Sequence, residues 1–509
     1  MFKILMFCSF VVGCRSQFQD NFVTDDVLEN TVTTNVQEQF FEQRKDHFVN
    51  PDQTGTFGQR YFENLQYFKP YGPVFFILSG EGEAQPDYVE AERTFLSQLA
   101  QIYGGALLIL EHRYYGKSVP TGNYSKYEFL SSKQAIEDAA YFVRTLKEQP
   151  RYFNSPFIVS GCSYSGSLAT WLRARHPTLT TGAVAFSAPL EVQLDFEEYK
   201  SAVSDSLWRI SEPCAGRLRD ALDLLNAELQ LDLDSRTDTL NNLKLGTENL
   251  TTYEPEAVRE RLLTEILFVM GGMLQTRTQD DIRTICRDRV ENLRYPLLEV
   301  LGHLFQNKTN FEDSGYDLNG WSYQLCNEFG WFVASAEVDD DPNDWPNLFN
   351  FNVSLENASG FCRAIFGDEF VSDEIRRKVA ETRDYYGGRR ELNVTNVLFV
   401  EGENDPWRPL QMESQFIKRN NVLVIIKGGT HCEGMFPSFQ PEIRNAQSII
   451  HSKVLDWIGL PNPTDQRLQK GYYNNPSNGY SKQFSDNKVT ANQPAQIYGF
   501  PWLFVPVYG

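Results

Sequence analysis

An α/β fold, built on a parallel sheet that is interrupted by a mostly helical insertion and then resumed, is predicted by three observations. Short apolar runs ending in glycine or polar turns alternate with amphipathic helical patterns over residues 73–190. The alternation then stops over residues 191–388, where helical patterns and loops dominate. Two more apolar runs follow and end in a long amphipathic segment. Strands that are apolar throughout belong in parallel sheets covered on both faces.

The elements follow in order. "PVFFILSGEGE" from residue 73 and "GALLILEHRYYG" from 105 are the first two strands, and "SPFIVSG" from 155 and "GAVAFSAP" from 182 the next two. "SSKQAIEDAAYFVRTLKEQ" from 131 reads as a helix, as does "SGSLATWLRARHP" from 165, which Pro177 ends. In the insertion, "ERLLTEILFVMGGMLQT" from 260 is helical. The sheet resumes with "NVLFVEG" from 396 and "NVLVIIKGG" from 421, and "IRNAQSIIHSKVLDWIG" from 443 closes it as a helix. The first part of the sheet domain is therefore assigned to 37–190, the insertion to 191–388 and the second part to 389–460. Beyond that, 461–509 is rich in Asn, Gln, Ser, Tyr and Pro and reads as a flexible polar tail.

Length and composition bound the chemistry. With 509 residues and 41% hydrophobic content, the chain can bury a large core. A formal net charge of −20 argues against nucleic acid, which demands clustered lysine and arginine. The start, "MFKILMFCSFVVGCRSQ", places one lysine before a short apolar run and small residues, so 1–16 is expected to be a secretory signal peptide. No later run approaches the ~20 apolar residues of a membrane span. A secreted or lysosomal protein is the expectation. Six cysteines follow the signal: Cys162, Cys214, Cys286, Cys326, Cys362 and Cys432. An even number in a secreted chain favours disulfides, and none shows CxxC spacing, so no zinc or redox site and no cofactor is expected. Glycosylation sequons stand at Asn123, Asn249, Asn307, Asn352, Asn357 and Asn393.

The segment "FIVSGCSYSGSLATW", residues 157–171, reads as strand, tight turn and helix, the layout in which a serine nucleophile sits on a strained elbow. Positions −2 and +2 from such a serine must be small. Ser163 has Gly161 and Ser165 there; Ser165 has no glycine at either place, and Cys162 would put Tyr164 at +2. Ser163 is the candidate nucleophile. Its partners should arrive in the order acid, then histidine. Among six histidines, only His431 and His451 follow the resumed sheet, and His451 lies inside the last helical pattern. His431, in "KGGTHCEG" directly after a strand, is the better base. "VEGENDPWRPL" offers Glu401, Glu403 and Asp405, and Asp405, held before Pro406, is chosen as the acid. The backbone N–H of Tyr164 is a candidate oxyanion donor, with a second from the loop "SGEGE", residues 79–83, around Gly80.

With "DHF" at 46, "FGQRYF" at 57, "EHRYYGKSVP" at 111, "GCSYSGSLATWLRARHP" at 161, "NDPW" at 404 and "GGTHC" at 428, the chain resembles a family of serine peptidases. That family includes lysosomal prolyl carboxypeptidase, dipeptidyl peptidase II and thymus-specific serine protease. The likeness covers nearly all of residues 37–460, and "YQLCNEFG" at 323 looks most like the thymus-specific branch. The resemblance implies an α/β-hydrolase fold with a large, mostly helical cap inserted before the catalytic acid. It also implies Ser163, Asp405 and His431 as the triad of an exopeptidase cutting peptides next to proline. Disulfides Cys214–Cys286 and Cys326–Cys362 are implied in the cap, and a homodimer is left open. Cys162 and Cys432 then remain beside the catalytic residues, expected as buried free thiols, or paired if their Cα atoms fall within about 7 Å. The pattern is departed from at Cys162 and Ser165, where the family usually has glycine. Trp407 is a candidate wall for a proline pocket, with core packing the alternative. An esterase of the same fold and a catalytically weak peptide-binding relative are the competing readings.

Overall fold

The computed structural model describes residues 36–120, 127–229, 255–291, 318–334, 345–349 and 351–460. The expected signal peptide at 1–16, the tail at 461–509 and the sequons at Asn123, Asn249 and Asn307 lie outside these residues. Its centre is one sheet of eight strands: β1 (Val36–Arg44), β2 (Thr56–Asn64), β3 (Val74–Leu78), β4 (Ala106–Leu110), β5 (Phe157–Cys162), β6 (Gly182–Phe186), β9 (Val397–Gly402) and β10 (Val422–Ile426). The spatial order is β1-β2-β4-β3-β5-β6-β9-β10. From β4 to β10 all neighbours run parallel, while β1 and β2 pair antiparallel with each other and β2 with β4. Two short strands, β7 (Gln193–Asp195) and β8 (Gly330–Phe332), form a separate parallel pair.

Every residue of β3, β4, β6 and β9 is buried, because helices cover both faces. Alternate side chains divide between two apolar layers, as the two-residue period of a strand requires. Phe76, Leu108, Val159, Ala185 and Phe399 face α2 (Ser132–Glu148) and α3 (Tyr164–Arg175). Phe75, Leu107, Ile158, Val184 and Leu398 face α1 (Phe95–Tyr103) and the last helix, Pro441–Ile458. Local signals set the helix ends. Thr94 and Ser97 form a reciprocal capping box on α1, and Ser131 caps α2 by accepting from the Gln134 N–H.

Between β6 and β9 the chain leaves the sheet and forms α4 (Glu198–Ile210), α5 (Glu212–Glu228), α6 (Pro255–Thr276), α7 (Leu355–Phe366) and α8 (Ser372–Tyr386). Cys214 pairs with Cys286, and Cys326 with Cys362, within this stretch. These helices reach back to the sheet. The Arg209 guanidinium donates to the Glu403 carbonyl and Asn404 Oδ1, each at 3.1 Å, and Thr430 Oγ1 donates to the Arg277 carbonyl at 2.9 Å.

The motifs near the chain start serve construction. Arg113, fully buried, donates from Nε and Nη2 to both oxygens of Asp138 on α2, at 2.7 and 2.6 Å, and His47 Nε2 lies 2.8 Å from the same carboxylate. Burial would raise the Asp138 pKa, but the Arg113 charge and the hydrogen bonds from Arg113 and His47 bring it below its ordinary value. Arg60 on β2 is paired likewise with the buried Glu111 that follows β4. The three motifs thereby fasten the antiparallel edge to the parallel core.

Candidate active site

β5 hands the chain to α3 through a single residue. Ser163 has φ 58° and ψ −130°, a backbone that an L-residue holds only under constraint. Its N–H donates to the Phe186 carbonyl at 2.9 Å, which pins the turn to β6. Gly161 is required here, since a Cβ on it would lie 2.2 Å from the Ser165 carbonyl oxygen.

Four serines crowd this segment, and hydrogen bonding separates them. Ser160 Oγ donates to the Val184 carbonyl at 2.9 Å, and Ser167 Oγ to the Pro189 carbonyl at 2.6 Å. Ser165 Oγ accepts from the Cys162 N–H at 2.9 Å and donates to the Cys162 carbonyl at 2.8 Å. That exchange gives the serine a structural use where the resembled family usually carries glycine. Ser163 Oγ has no such bond among the described residues, so its hydroxyl alone is uncommitted.

The candidate acid, Asp405, and His431 sit on neighbouring loops after β9 and β10. His431 Nδ1 lies 2.8 Å from Asp405 Oδ2, and both residues are buried. Asp405 also accepts from the Trp407 N–H at 2.9 Å and from Gln411 Nε2 at 2.6 Å. Burial would raise its pKa, but the facing imidazole and these hydrogen bonds hold it below the ordinary value. The competing carboxylates are committed elsewhere: Glu401 to the Met412 N–H and Arg408, Glu403 to the Gly428 N–H. A Cβ on Gly402 would lie 2.4 Å from the Thr430 carbonyl oxygen, so glycine at the end of β9 lets the two loops touch. His431 Nε2 has no partner among the described residues, and no hydrogen bond to Ser163 is formed. Such contacts commonly close only when substrate is bound.

The expectation of free thiols at Cys162 and Cys432 is corrected: the two are joined in a disulfide, with Cα atoms 5.8 Å apart. They are 270 residues apart in the chain. Adjacency of β5, β6 and β9 closes that gap, and the Cys432 N–H donates to Ser187 Oγ just after β6 at 2.9 Å.

Tyr164 opens α3, so its N–H is among those at a helix start that have no intrahelical partner. Gly80 lies against the next residue, Ser165, with an added Cβ falling 3.7 Å from the Ser165 nitrogen. Trp407 is buried and packs with ring centroids 5.5 Å from Phe196, 5.9 Å from Tyr199 and 5.7 Å from Trp331. An aromatic wall continues from Trp331 through Phe329 and Trp321 to Tyr164. The described sequon residues Asn352, Asn357 and Asn393 are all exposed.

Two features escape a reading of the sequence. Beneath the elbow, the Tyr164 hydroxyl meets His112 Nε2 and Gln324 Nε2, both at 3.0 Å. Gln324 Nε2 also donates to the buried Glu328 at 3.2 Å, which in turn accepts from Ser132 at the start of α2. Only the quoted "YQLCNEFG" hinted at them. The other feature is Glu81, buried in the 79–83 loop. Burial pushes its pKa up to about 7, against a smaller lowering by His431. A carboxyl held above its unfolded pKa contributes stability that is complete below about 4.5 and is lost as pH rises through about 7. Glu81→Gln is therefore expected to retain, at neutral pH, on the order of 3 kcal/mol that the parent loses over this range. Urea unfolding at both ends of the range measures it; parallel pH dependences for parent and variant would refute the assignment.

A model of the family described as serine carboxypeptidase S28 matches residues 43–292 and 300–449. The human thymus-specific serine protease is 31% identical over 464 residues, which span 83% of this chain and 86% of that protein. The human lysosomal Pro-X carboxypeptidase is 26% identical over 403 residues, 72% of this chain and 77% of its own length.

Proposed function

The chain belongs to the serine carboxypeptidase S28 family and is a serine-type peptidase of α/β-hydrolase fold, and from that premise we propose that it is an exopeptidase of the secretory pathway or lysosome, cutting peptides next to proline through Ser163, His431 and Asp405. The observation that carries the reading is the buried 2.8 Å bond from His431 Nδ1 to Asp405, on a loop bonded covalently to the serine elbow.

In this reading His431 Nε2 removes the Ser163 proton as Oγ attacks the scissile carbonyl. Asp405 keeps the imidazole in the tautomer whose Nε2 lone pair is free, and stabilises the imidazolium that forms. The oxyanion is held by the Tyr164 N–H and a second donor around Gly80. Collapse of the tetrahedral species releases the amine, which takes its proton from His431, and leaves an acyl-enzyme that water hydrolyses. Trp407 and the aromatic residues packed around it supply apolar surface that suits a proline ring. The insertion packs on the loops of both acid and histidine, which supports closure of one end of the cleft. The lysosomal relative's name specifies proline before the released residue, and this supports the same preference here. No helix among the described residues is long and apolar enough to cross a membrane.

Incubation with short peptides carrying proline at the second or the penultimate position, at about pH 5 and about pH 7, followed by mass spectrometry, tests the proposal. Terminal fragments cut beside proline, absent with Ser163→Ala, are expected. Internal cleavage of long peptides would overturn the exopeptidase reading, and hydrolysis of esters alone would replace it.

A further inference from the structure

The reacting pair is framed by sulfur. Cys162 precedes the elbow serine, Cys432 follows the histidine, and their disulfide lies near the imidazole. The ligand atoms of Cys162, His431 and Cys432 all fall within 4.8 Å of one another. Three side chains bound to one tetrahedral zinc-class ion stand about 3.5–3.8 Å apart, given Zn–S near 2.3 Å and Zn–N near 2.0–2.1 Å. Small side-chain rotations span that difference once the sulfurs are no longer bonded to each other.

The histidine is already set up as a metal ligand. Its Nδ1 is engaged by the Asp405 carboxylate, and Nε2 is buried with no partner. Metal-binding histidines show this same arrangement, with a carboxylate fixing the tautomer and raising the basicity of the other nitrogen. Two thiolates and one imidazole form a soft donor set favouring zinc, cadmium or cobalt over calcium or magnesium.

Access to the sulfurs is uneven. Cys214, Cys286, Cys326, Cys362 and Cys432 are at most 1% exposed, whereas Cys162 is partly exposed. A small dithiol therefore meets this disulfide first.

We propose that the Cys162–Cys432 disulfide masks a metal site: once a dithiol reduces it, Cys162 Sγ, Cys432 Sγ and His431 Nε2 bind one zinc-class divalent cation, which silences the enzyme. The chemistry balances. One thiolate of the dithiol attacks Cys162 Sγ, the S–S bond breaks, and Cys432 leaves as a thiolate. The second thiol then displaces Cys162, so the protein gains two electrons and two protons and the dithiol becomes a cyclic disulfide. Metal binding releases the two thiol protons. The cation occupies the lone pair that would accept the serine proton. Only the loss of activity rests on His431 being the base; metal uptake does not.

The test uses the full-length protein in two arms. In the first, Ser163→Ala protein is treated with a small dithiol, freed of it and titrated with Co²⁺. A thiolate-to-cobalt absorption band saturating at one ion per chain is expected, absent from the oxidised protein and lost in Cys162→Ser. In the second, fluorophosphonate labelling of Ser163 in the reduced protein is expected to fall by an order of magnitude or more with stoichiometric Zn²⁺, because the serine loses its base. Labelling recovers with a chelator, and the oxidised protein is insensitive to the same zinc. Resistance of this disulfide to reduction in the folded protein, absence of the cobalt band, or equal zinc sensitivity in both redox states would each overturn the proposal. Cobalt binding without peptidase activity would uphold the site and count against the proposed function alone.

Discussion

Ser163→Ala is expected to lower peptide turnover by on the order of 10⁶-fold while leaving the protein folded. The backbone bond to Phe186 survives the change, and alanine meets the same positive φ that serine already adopts. A residual rate above water should remain from binding and the oxyanion donors, about 10³–10⁴-fold where this has been measured. Thermal unfolding and fluorophosphonate labelling of the purified variant separate a missing nucleophile from a collapsed elbow. Retention of labelling would point to another serine. Ser160, Ser165 and Ser167 are poor substitutes, because each hydroxyl already donates to a backbone carbonyl.

Asp405→Asn should cost about 10⁴-fold in kcat, as the same replacement does in another Ser–His–Asp hydrolase, with little change in KM expected because Asp405 is not a substrate contact. The environment explains why an amide cannot stand in. Trp407 N–H donates to one carboxylate oxygen, while Gln411 Nε2 and His431 Nδ1 meet the other. With the amide NH₂ toward Gln411, two donors face each other and His431 loses its acceptor. With the amide turned over, the NH₂ group confronts the Trp407 N–H instead. Either orientation leaves a buried donor unpaired, and the first also favours the wrong imidazole tautomer. Steady-state kinetics at several pH values checks this; a loss confined to KM would remove Asp405 from the reacting centre.

The central sheet was legible because β3, β4, β5, β6 and β9 are short apolar runs bounded by turns. β1 and β2 were missed: "VQEQFFEQR" at the sheet edge and "TFGQRYFEN" beside it mix charged and aromatic residues and carry no clean alternation. Ser163 could be preferred over its neighbours as the candidate because steric limits at an elbow are local. Asp405 could be preferred over Glu401 and Glu403 only on loop position, since the partners that occupy the other two lie across the loops they share. The Cys162–Cys432 bond could be offered only as the alternative to free thiols, and the Tyr164–Gln324–Glu328 network only as an unexplained motif. Both join residues more than 150 positions apart, and nothing in the linear text records which strands become neighbours.

The order of strands in the sheet also sets a clock. β9 lies next to β6, yet the ribosome makes the whole insertion between them. At roughly 5–20 residues per second, the 270 residues separating the two elbow-side cysteines occupy on the order of 10–50 s. Throughout that interval the growing chain carries its serine without a histidine, and Cys162 without its partner. With Ser163 and His431 as the proposed reacting pair, a newborn molecule lacks that pair until the last strands dock, and its own unfolded segments and neighbouring nascent chains are spared until then.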